Sequence, residues 1–464
     1  MSDQSLNSLV VDIGKTHIKI CLLDARNNPV RTEQTNNVID SSGAYPSVDV
    51  DYIWTWLSEN IKLLASSYHI SAIAFSTHGA TAALINRDKE ELVLPVLDYE
   101  YNELDKINEP YLTVKPLYEK TFSPPLPAGL NLGKQLFWLQ HHFATKFNQC
   151  TDILMYPQYW AWKLTGEVST DITSLGCHTD LWSIADNDFS SLVDTMNWRH
   201  LFPKVMPPWH CVGQIKPQLA QAWGLGEQCQ VHVGIHDSNA SFLRYRVSQD
   251  DRPFTVISTG TWTISMAANV SLENLSKDKD MLANIDATGK AVACARFMGG
   301  REFASICKRF GANVADKFSA QDIQHVINSN VFALPDFSGG SGPFGHSEGC
   351  ILGNKKTIKG AALASLYCAL MLDYQLDTLK VSGDIYIEGA FLKNPFLCGL
   401  LSQLRGDQNV YLSTDTTGTV QGVAQLMSWG KSFDEPKVEP ALKTSIENLV
   451  QYKAQWLSAI QENL

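Results

Sequence analysis

One short design occurs twice in this chain: Asp12-Ile-Gly-Lys-Thr-His-Ile-Lys-Ile20 and, far downstream, Ser258-Thr-Gly-Thr-Trp-Thr-Ile-Ser-Met266. Aligned on Gly14 and Gly260, both have an apolar run entering the glycine, small or polar residues at the bend, and β-type alternation leaving it. Each reads as a hairpin whose glycine lets backbone N–H groups turn outward. Two such hairpins at the head of two similar halves, facing each other, can hold one polyphosphate by its oxygens. A single copy is an ordinary turn. The pair predicts a duplicated nucleotide-binding fold.

With 464 residues the chain exceeds what one core organises, so two or three domains are expected. A net charge of -11 argues against a nucleic-acid binder, whose surface is basic. It leaves a nucleotide substrate open, because backbone amides, a few lysines and a magnesium ion neutralise phosphate locally. The ten cysteines stand singly, with no C-x-x-C or Cys/His spacing, which suits buried thiols in a reducing compartment. The polar start Met1-Ser-Asp-Gln-Ser-Leu-Asn-Ser8 is not a signal peptide, and Ala361–Leu372 is too short to span a membrane. A cytoplasmic protein is expected, and the 12 tryptophans leave room for an apolar homodimer patch.

Along the chain, Leu9 to Leu23 predicts two strands, and Asp51 to Ser66 a helix with Ile53, Trp54, Leu57, Ile61 and Leu64 on one face. Ile70 to Phe75 predicts a buried strand ending in Ser76-Thr-His-Gly79. Leu92 to Leu97 predicts another, ending in Asp98-Tyr-Glu-Tyr101. In α/β sheets ligands lie beyond the carboxyl ends of strands. Val231 to Ile235 predicts a strand running into a helix that opens at His236-Asp-Ser-Asn-Ala240. The domain boundary is placed near residues 240 to 254, giving domains 1–245 and 246–464. In the second half, Phe332 to Gly353, rich in glycine and proline, reads as a long loop, ordered or disordered, Gly360 to Leu379 as a helix, and Ile385 to Ile387 as a strand entering Glu388-Gly-Ala-Phe-Leu-Lys-Asn394. That strand–Gly–helix unit is a candidate counterpart of Ile70 to Gly79.

Two decoys are set aside. Gly14-Lys15-Thr16 lacks the leading glycine of a P-loop (position 9 is Leu) and runs into a strand. Gly340-Ser-Gly-Pro-Phe-Gly345 matches G-x-G-x-x-G, but Pro343 and the absence of a following helical pattern speak against a dinucleotide site. Among candidates for chemistry, Asp237 follows an apolar strand and precedes a helix near the domain boundary. It suits either a general base accepting a hydroxyl proton or a helix cap. Asp12, in an otherwise apolar strand, suits magnesium binding or an edge position. Lys15 and Thr16 beside Gly14, and Thr259, Gly260 and Thr261, suit phosphate contact or plain turns. Gly389, Ala390 and Asn394 leave room for a base or ribose, or for tight packing. His78 and Asp98 end neighbouring strands, where they can bind substrate hydroxyls or serve as structural hydrogen-bonding groups.

With those residues in place the chain resembles the FGGY carbohydrate kinases of the actin-like, hexokinase-type ATPase superfamily, from about Leu9 to Gly430. Besides the hairpins, Asn131-Leu-Gly-Lys-Gln-Leu-Phe-Trp-Leu139 is similar to the family's N-x-x-K-x-x-W-L helix, and Tyr159 to Gly166 to its Y-x-x-x-x-L-T-G stretch. Gly234 to Ala240 is similar to G-x-x-D-S-x-A, and Gly389 to Asn394 to the adenosine loop. The resemblance implies an α/β fold of two ribonuclease-H-like domains flanking a central cleft, with ATP and Mg2+ as cofactors. It implies Asp237 as catalytic base and sugar contact, and Asp12 at magnesium. Gly14–Thr16 and Thr259–Thr261 would cradle phosphate, Gly389, Ala390 and Asn394 would meet adenosine, and His78 with Asp98 the sugar. The expected reaction is phosphorylation of a small sugar, a ketose or 6-deoxyketose of ketopentose, L-rhamnulose or L-fuculose type. The alternatives are a polyol kinase of glycerol or erythritol type and a catalytically silent sensor. Three departures stand out: Glu100 where members often carry Arg, Gly339-Gly-Ser-Gly-Pro343 without the two charges of a G-E-R-x-P signature, and Lys15 and His17 at hairpin positions usually small or hydroxylic.

Overall fold

The computed structural model describes residues 6–249, 251–415, 418–431 and 435–463. The chain divides into two compact units, Met1–Ser248 with Ala283–Ala291 and Thr417–Glu435, and Gln249–Leu282 with Val292–Thr416 and Pro436–Leu464. Two segments of the second half are thus counted with the first unit.

The first unit is built on a sheet in the order Cys211–Gln214, Gln230–His232, Ile70–Thr77, Asn7–Ile13, His17–Leu23, Pro29–Asn36. Asn7–Ile13 pairs antiparallel with His17–Leu23 and parallel with Ile70–Thr77, so both of its edges are hydrogen-bonded. Strand alternation divides its side chains. Leu9, Val11 and Ile13 enter a core with Ile53, Leu57 and Ile61 of the helix Val50–Ala65. Val10 enters another with Ala240 and Leu243 of the helix Asp237–Gln249 and Val423 of the helix Gly418–Met427. Asp12 has the parity of Val10 and so belongs to the face that carries the Asp237 helix. The helix Val50–Ala65 starts where the Asp49 carboxylate accepts the Tyr52 N–H at 2.9 Å. Trp54 is half-buried at its margin, 5.3 Å from the Trp223 ring.

The second unit is built on a sheet that runs Met281–Ile285 (whose last three residues count with the first unit), Ala291–Phe297, Thr263–Ala268, Phe254–Thr259, Asp384–Gly389, Val410–Ser413, Val438–Pro440. Both sheets contain the same path: three antiparallel strands, then two parallel neighbours, then an antiparallel closing strand. Ile70–Thr77 and Asp384–Gly389 hold the same place in it, each parallel to the first strand of its unit's hairpin. The helix Gly360–Leu379 runs through the second core and is buried on all sides. Among the described residues no helix is long and apolar enough to cross a membrane.

Three local expectations change. Leu92–Leu97 is not a continuous strand: Glu91–Leu92 pairs with Ala82–Asn86, and beyond Pro95, which has no N–H to continue a ladder, Leu97 makes an isolated bridge to Ser47. There the Val96 carbonyl accepts from the Val48 N–H at 2.8 Å. The Val231–Ile235 strand breaks at Gly234 (φ +89), where a Cβ would meet the Phe75 carbonyl oxygen at 2.8 Å. Phe332 to Gly353 is a loop closed by pairing of Phe332–Leu334 with Cys350–Leu352. The amides of Gly340 and Ser341 bond the Asp336 carboxylate at 2.6 and 3.3 Å, so the glycine decoy is occupied by its own chain. All tryptophans are buried or half-buried.

Glu302, on the helix Gly299–Arg309, is buried, with Oε2 accepting from Tyr367 and from the Phe337 N–H and Oε1 without a partner among the described residues. Burial, and secondarily Asp336, pushes its carboxyl up to about 7. A raised carboxyl binds its proton more tightly folded than unfolded, so its stabilising contribution is complete below its unfolded value and is lost as pH rises through about 7. Wild-type unfolding free energy is expected to fall by up to about 3 kcal/mol across that window. Glu302→Gln is expected to reduce the slope by the share Glu302 contributes, leaving that of Asp12, and to be the more stable protein at pH 8. Urea unfolding at pH 5 and pH 8 measures it, and identical slopes in the two proteins would contradict it.

Candidate active site

Three neighbouring strand ends meet in the first unit. Asp12 is level with Ser76 across the parallel pair, and Ile235 and His236 pair with Ser76 and Thr77. Asp237 follows at once as the first residue of its helix. Its Oδ1 accepts from the Ser238 N–H at 2.6 Å and the Ser238 hydroxyl at 3.2 Å, and lies 3.2 Å from His236 Nε2. A helix cap would instead reach an amide further into the first turn. The Asp237 side chain remains 32% exposed, so its second oxygen can meet a ligand. Asp12 is shielded. Burial first, and the Asp237 carboxylate second, push its carboxyl up to about 7, against weaker opposite pulls from Lys19 and Ser76. A buried carboxyl pushed up by a neighbouring carboxylate at a strand end is an arrangement that a divalent cation relieves.

His78 is buried against the rings of Tyr99 and Tyr156, at 5.5 and 5.3 Å. Its Nδ1 lies 3.1 Å from the Gly79 carbonyl, and Nε2 has no partner among the described residues. Burial pushes this imidazole's pKa down, which keeps it neutral. Gly79 is glycine for packing: a Cβ there would lie 2.7 Å from His236 Nε2. Asp98 is buried in the loop after Leu97, its N–H on the Pro46 carbonyl at 3.0 Å. Its carboxylate is paired with Lys15. The family-like helix Leu132–His142 frames this loop. Gln135 Nε2 donates to the Ala80 and Gly129 carbonyls at 2.6 and 2.5 Å, while the Gly129 N–H donates to the Tyr99 carbonyl at 2.7 Å.

The hairpin bends are built alike. The first ladder ends at Ile13↔Ile18, and the Gly14 N–H bonds the His17 carbonyl at 2.9 Å. The Lys15 and Thr16 amides therefore lie beyond the last paired rung. The second ladder ends at Thr259↔Thr263, with the Gly260 N–H on the Trp262 carbonyl at 2.8 Å. Thr261 is exposed at that bend. The Thr259 hydroxyl is engaged internally, donating to the Glu388 carbonyl and accepting the Phe391 N–H at 2.9 Å. It joins the second bend to the Gly389 turn. Gly389 (φ +86) could not be replaced without strain, since a Cβ would fall 2.0 Å from the Thr259 carbonyl oxygen. Gly389 and Ala390 are exposed, whereas Asn394 caps the helix Pro395–Leu404 through the Leu397 N–H at 3.1 Å and donates to Ser365 at 2.8 Å.

Sequence reasoning missed two parts. His236 touches the Asp237 carboxylate but sits in an apolar strand, where its local signal is that of a core histidine. Gly299-Gly300 opens a helix directly on the second bend: a Cβ on Gly300 would be 2.2 Å from the Gly260 carbonyl oxygen. The glycine pair after Met298 was the available signal.

The repeated strand path, with a glycine hairpin in each unit, defines the duplicated α/β class of actin-like ATPases and sugar kinases. Residues 8–243 match the N-terminal domain of the FGGY family of carbohydrate kinases, and residues 251–436 match the carbohydrate kinase FGGY C-terminal domain. The chain belongs to the FGGY family of carbohydrate kinases. It is similar to a carbohydrate kinase from Novosphingobium aromaticivorans, with a TM-score of 0.91 and 29% identity over 99% of both chains. A ligand-bound xylulose kinase from Lactobacillus acidophilus shares the fold, with a TM-score of 0.76 and 16% identity over 98% of this chain and 97% of that one. An L-fuculokinase of Salmonella typhi is 26% identical over 267 residues, 56% of each chain. The chain thus spans about half the length of the curated relatives it matches.

Proposed function

We propose that the protein transfers the γ-phosphoryl group of ATP to a hydroxyl of a small sugar, a ketose or 6-deoxyketose, with Asp237 as general base. The observation that carries this reading is the partly exposed Asp237 carboxylate and the shielded Asp12 that it pushes up, at the carboxyl ends of the two strands that flank Ile70–Thr77. Phosphoryl transfer asks little covalent chemistry of a protein: position the acceptor, accept its proton and neutralise the phosphates. As the sugar oxygen forms its bond to phosphorus and the bond to the ADP oxygen breaks, the hydroxyl proton passes to Asp237. His78 and Asp98 hold further hydroxyls. In the second unit, Gly260 and Thr261 face the phosphates through the bend, and Thr259 holds that bend to the exposed Gly389–Ala390 surface, which takes the adenosine. Asn394 supports this surface as a cap. Gly14 and Thr16 supply the bend on the first unit.

Magnesium fits the donor set. Among the described residues no cluster of three or more His, Cys, Asp or Glu forms a cage, so Asp12 would be the residue to hold a magnesium ion here. When bound, magnesium neutralises charge building on the transferred phosphoryl group. None of the ten cysteines forms a disulfide, and eight of them are buried, which supports a reducing, cytoplasmic setting.

ADP release measured against ketoses, aldoses and polyols tests the reading. Turnover is expected to be highest with a ketose or 6-deoxyketose and at least tenfold lower with glycerol or erythritol, on the scale set by unpaired polar groups in a site built for hydroxyls. A preference for the polyols would transfer the assignment to them. ATP binding without consumption in every case would mark a sensor.

A further inference from the structure

Lys15 leaves the first phosphate bend, yet its side chain lies along the loop that carries Asp98. The ammonium pairs with the Asp98 Oδ1 atom, lies 3.4 Å from Glu100 Oε2 and sits 4.8 Å above the Tyr99 ring. Three consecutive residues of one loop thus engage a single ammonium whose side chain is only 22% exposed. The Glu100 N–H also reaches Asp98 Oδ1, at 3.2 Å. Both contacts to the Asp98 carboxylate fall on the same oxygen, which fixes the group and leaves Oδ2 as an acceptor. His78, stacked edge-on against the same Tyr99, supplies a second one. Its Nδ1 faces the Gly79 carbonyl and so carries the proton, and on a neutral ring Nε2 is then an acceptor.

We propose that Lys15 is a positioning residue of the sugar site rather than a phosphate ligand: it clamps Asp98 from the neighbouring hairpin and thereby sets the site for neutral polyhydroxy substrates. The inference rests on the kinase reading above. A neutral sugar offers hydroxyl protons to Asp98 Oδ2 and His78 Nε2. A sugar acid offers a carboxylate to two acceptors, while the Lys15 ammonium is already paired to Asp98 and Glu100. The clamp also gives the departure at position 100 a physical meaning. Glu100 helps hold a cation that comes from position 15.

The test is steady-state kinetics of the full chain with its best neutral sugar, the matching sugar acid and ATP, for wild type, Lys15→Met, Lys15→Arg and Glu100→Gln. Lys15→Met is expected to raise the sugar KM on the order of tenfold or more, the usual effect of losing a charge-assisted contact, while the ATP KM stays within about twofold. Lys15→Arg restores most of the affinity. Glu100→Gln keeps the lysine and raises the sugar KM severalfold, which provides the readout if Lys15→Met fails to fold. A rise in the ATP KM with an unchanged sugar KM would make Lys15 a phosphate ligand and overturn the proposal. So would preference of the wild type for the sugar acid. A wild type that phosphorylates no sugar at all removes the kinase reading itself, and does so before any variant is measured.

Discussion

Asp237→Asn is expected to fold as the wild type does and to turn over at least about a hundredfold more slowly, the scale of losing a positioned general base. The substitution keeps the size of the side chain and leaves an amide oxygen to accept from Ser238, so the start of the helix is preserved. What disappears is the acceptor for the hydroxyl proton. Sugar and ATP KM values are expected to change much less than kcat, because the loss falls on the transition state. The variant should also relieve Asp12, whose carboxyl Asp237 helps to push up. Any pH dependence that Asp12 imposes on ADP binding with magnesium is therefore expected to move to lower pH in Asp237→Asn. Parallel thermal melts and initial rates decide the matter. Near-normal turnover with a normal melt would sink the assignment of Asp237 as base.

Gly422→Ala is expected to be the most damaging single methyl group in the first unit. Gly422 lies on the helix Gly418–Met427, against the helix that begins at Asp237. A Cβ there would fall 1.8 Å from the Ala240 carbonyl oxygen and 2.5 Å from its carbon. Nothing flexible can yield, because the obstacle is backbone. The helices must separate, at a cost at or above the upper end of ordinary overpacking, about 3 kcal/mol. Ala240 is three residues from Asp237, less than one helical turn, so the displacement reaches the carboxylate. A loss of stability together with a fall in kcat is the expected result, measured by chemical unfolding and initial rates on the same preparation. A variant as stable and as fast as wild type would show that this helix pair does not set the position of Asp237.

These two residues also show how far the sequence could be read. Asp237 was legible locally: an apolar strand, a carboxylate, then a helix, which is the pattern of a group displayed at a strand end. The paired hairpins were legible because glycine and alternation are local signals. So was the helix Gly360–Leu379, although its burial on every side erased the amphipathic stripe. Gly422 was not legible, since its reason is a backbone approach to Ala240, far away in sequence. The same holds for Lys15. Its position in the bend suggests phosphate, and only tertiary packing directs its side chain to Asp98 and Glu100 instead. At Leu92–Leu97 an apolar run outweighed Pro95 in the sequence reading, and the missing N–H decided otherwise. Asn394 was read toward ligand, and its amide is occupied as a helix cap and on Ser365.

The central claim is transfer of phosphate from ATP to a sugar oxygen at a site served by Asp237. Incubation with ATP labelled by heavy oxygen at its three terminal γ positions, followed by mass spectrometry of the products, tests it most directly. The expected product is a sugar monophosphate carrying all three labelled oxygens, formed by the wild type and nearly absent with Asp237→Asn. Label found only in inorganic phosphate, or in no product with any sugar, would contradict the claim.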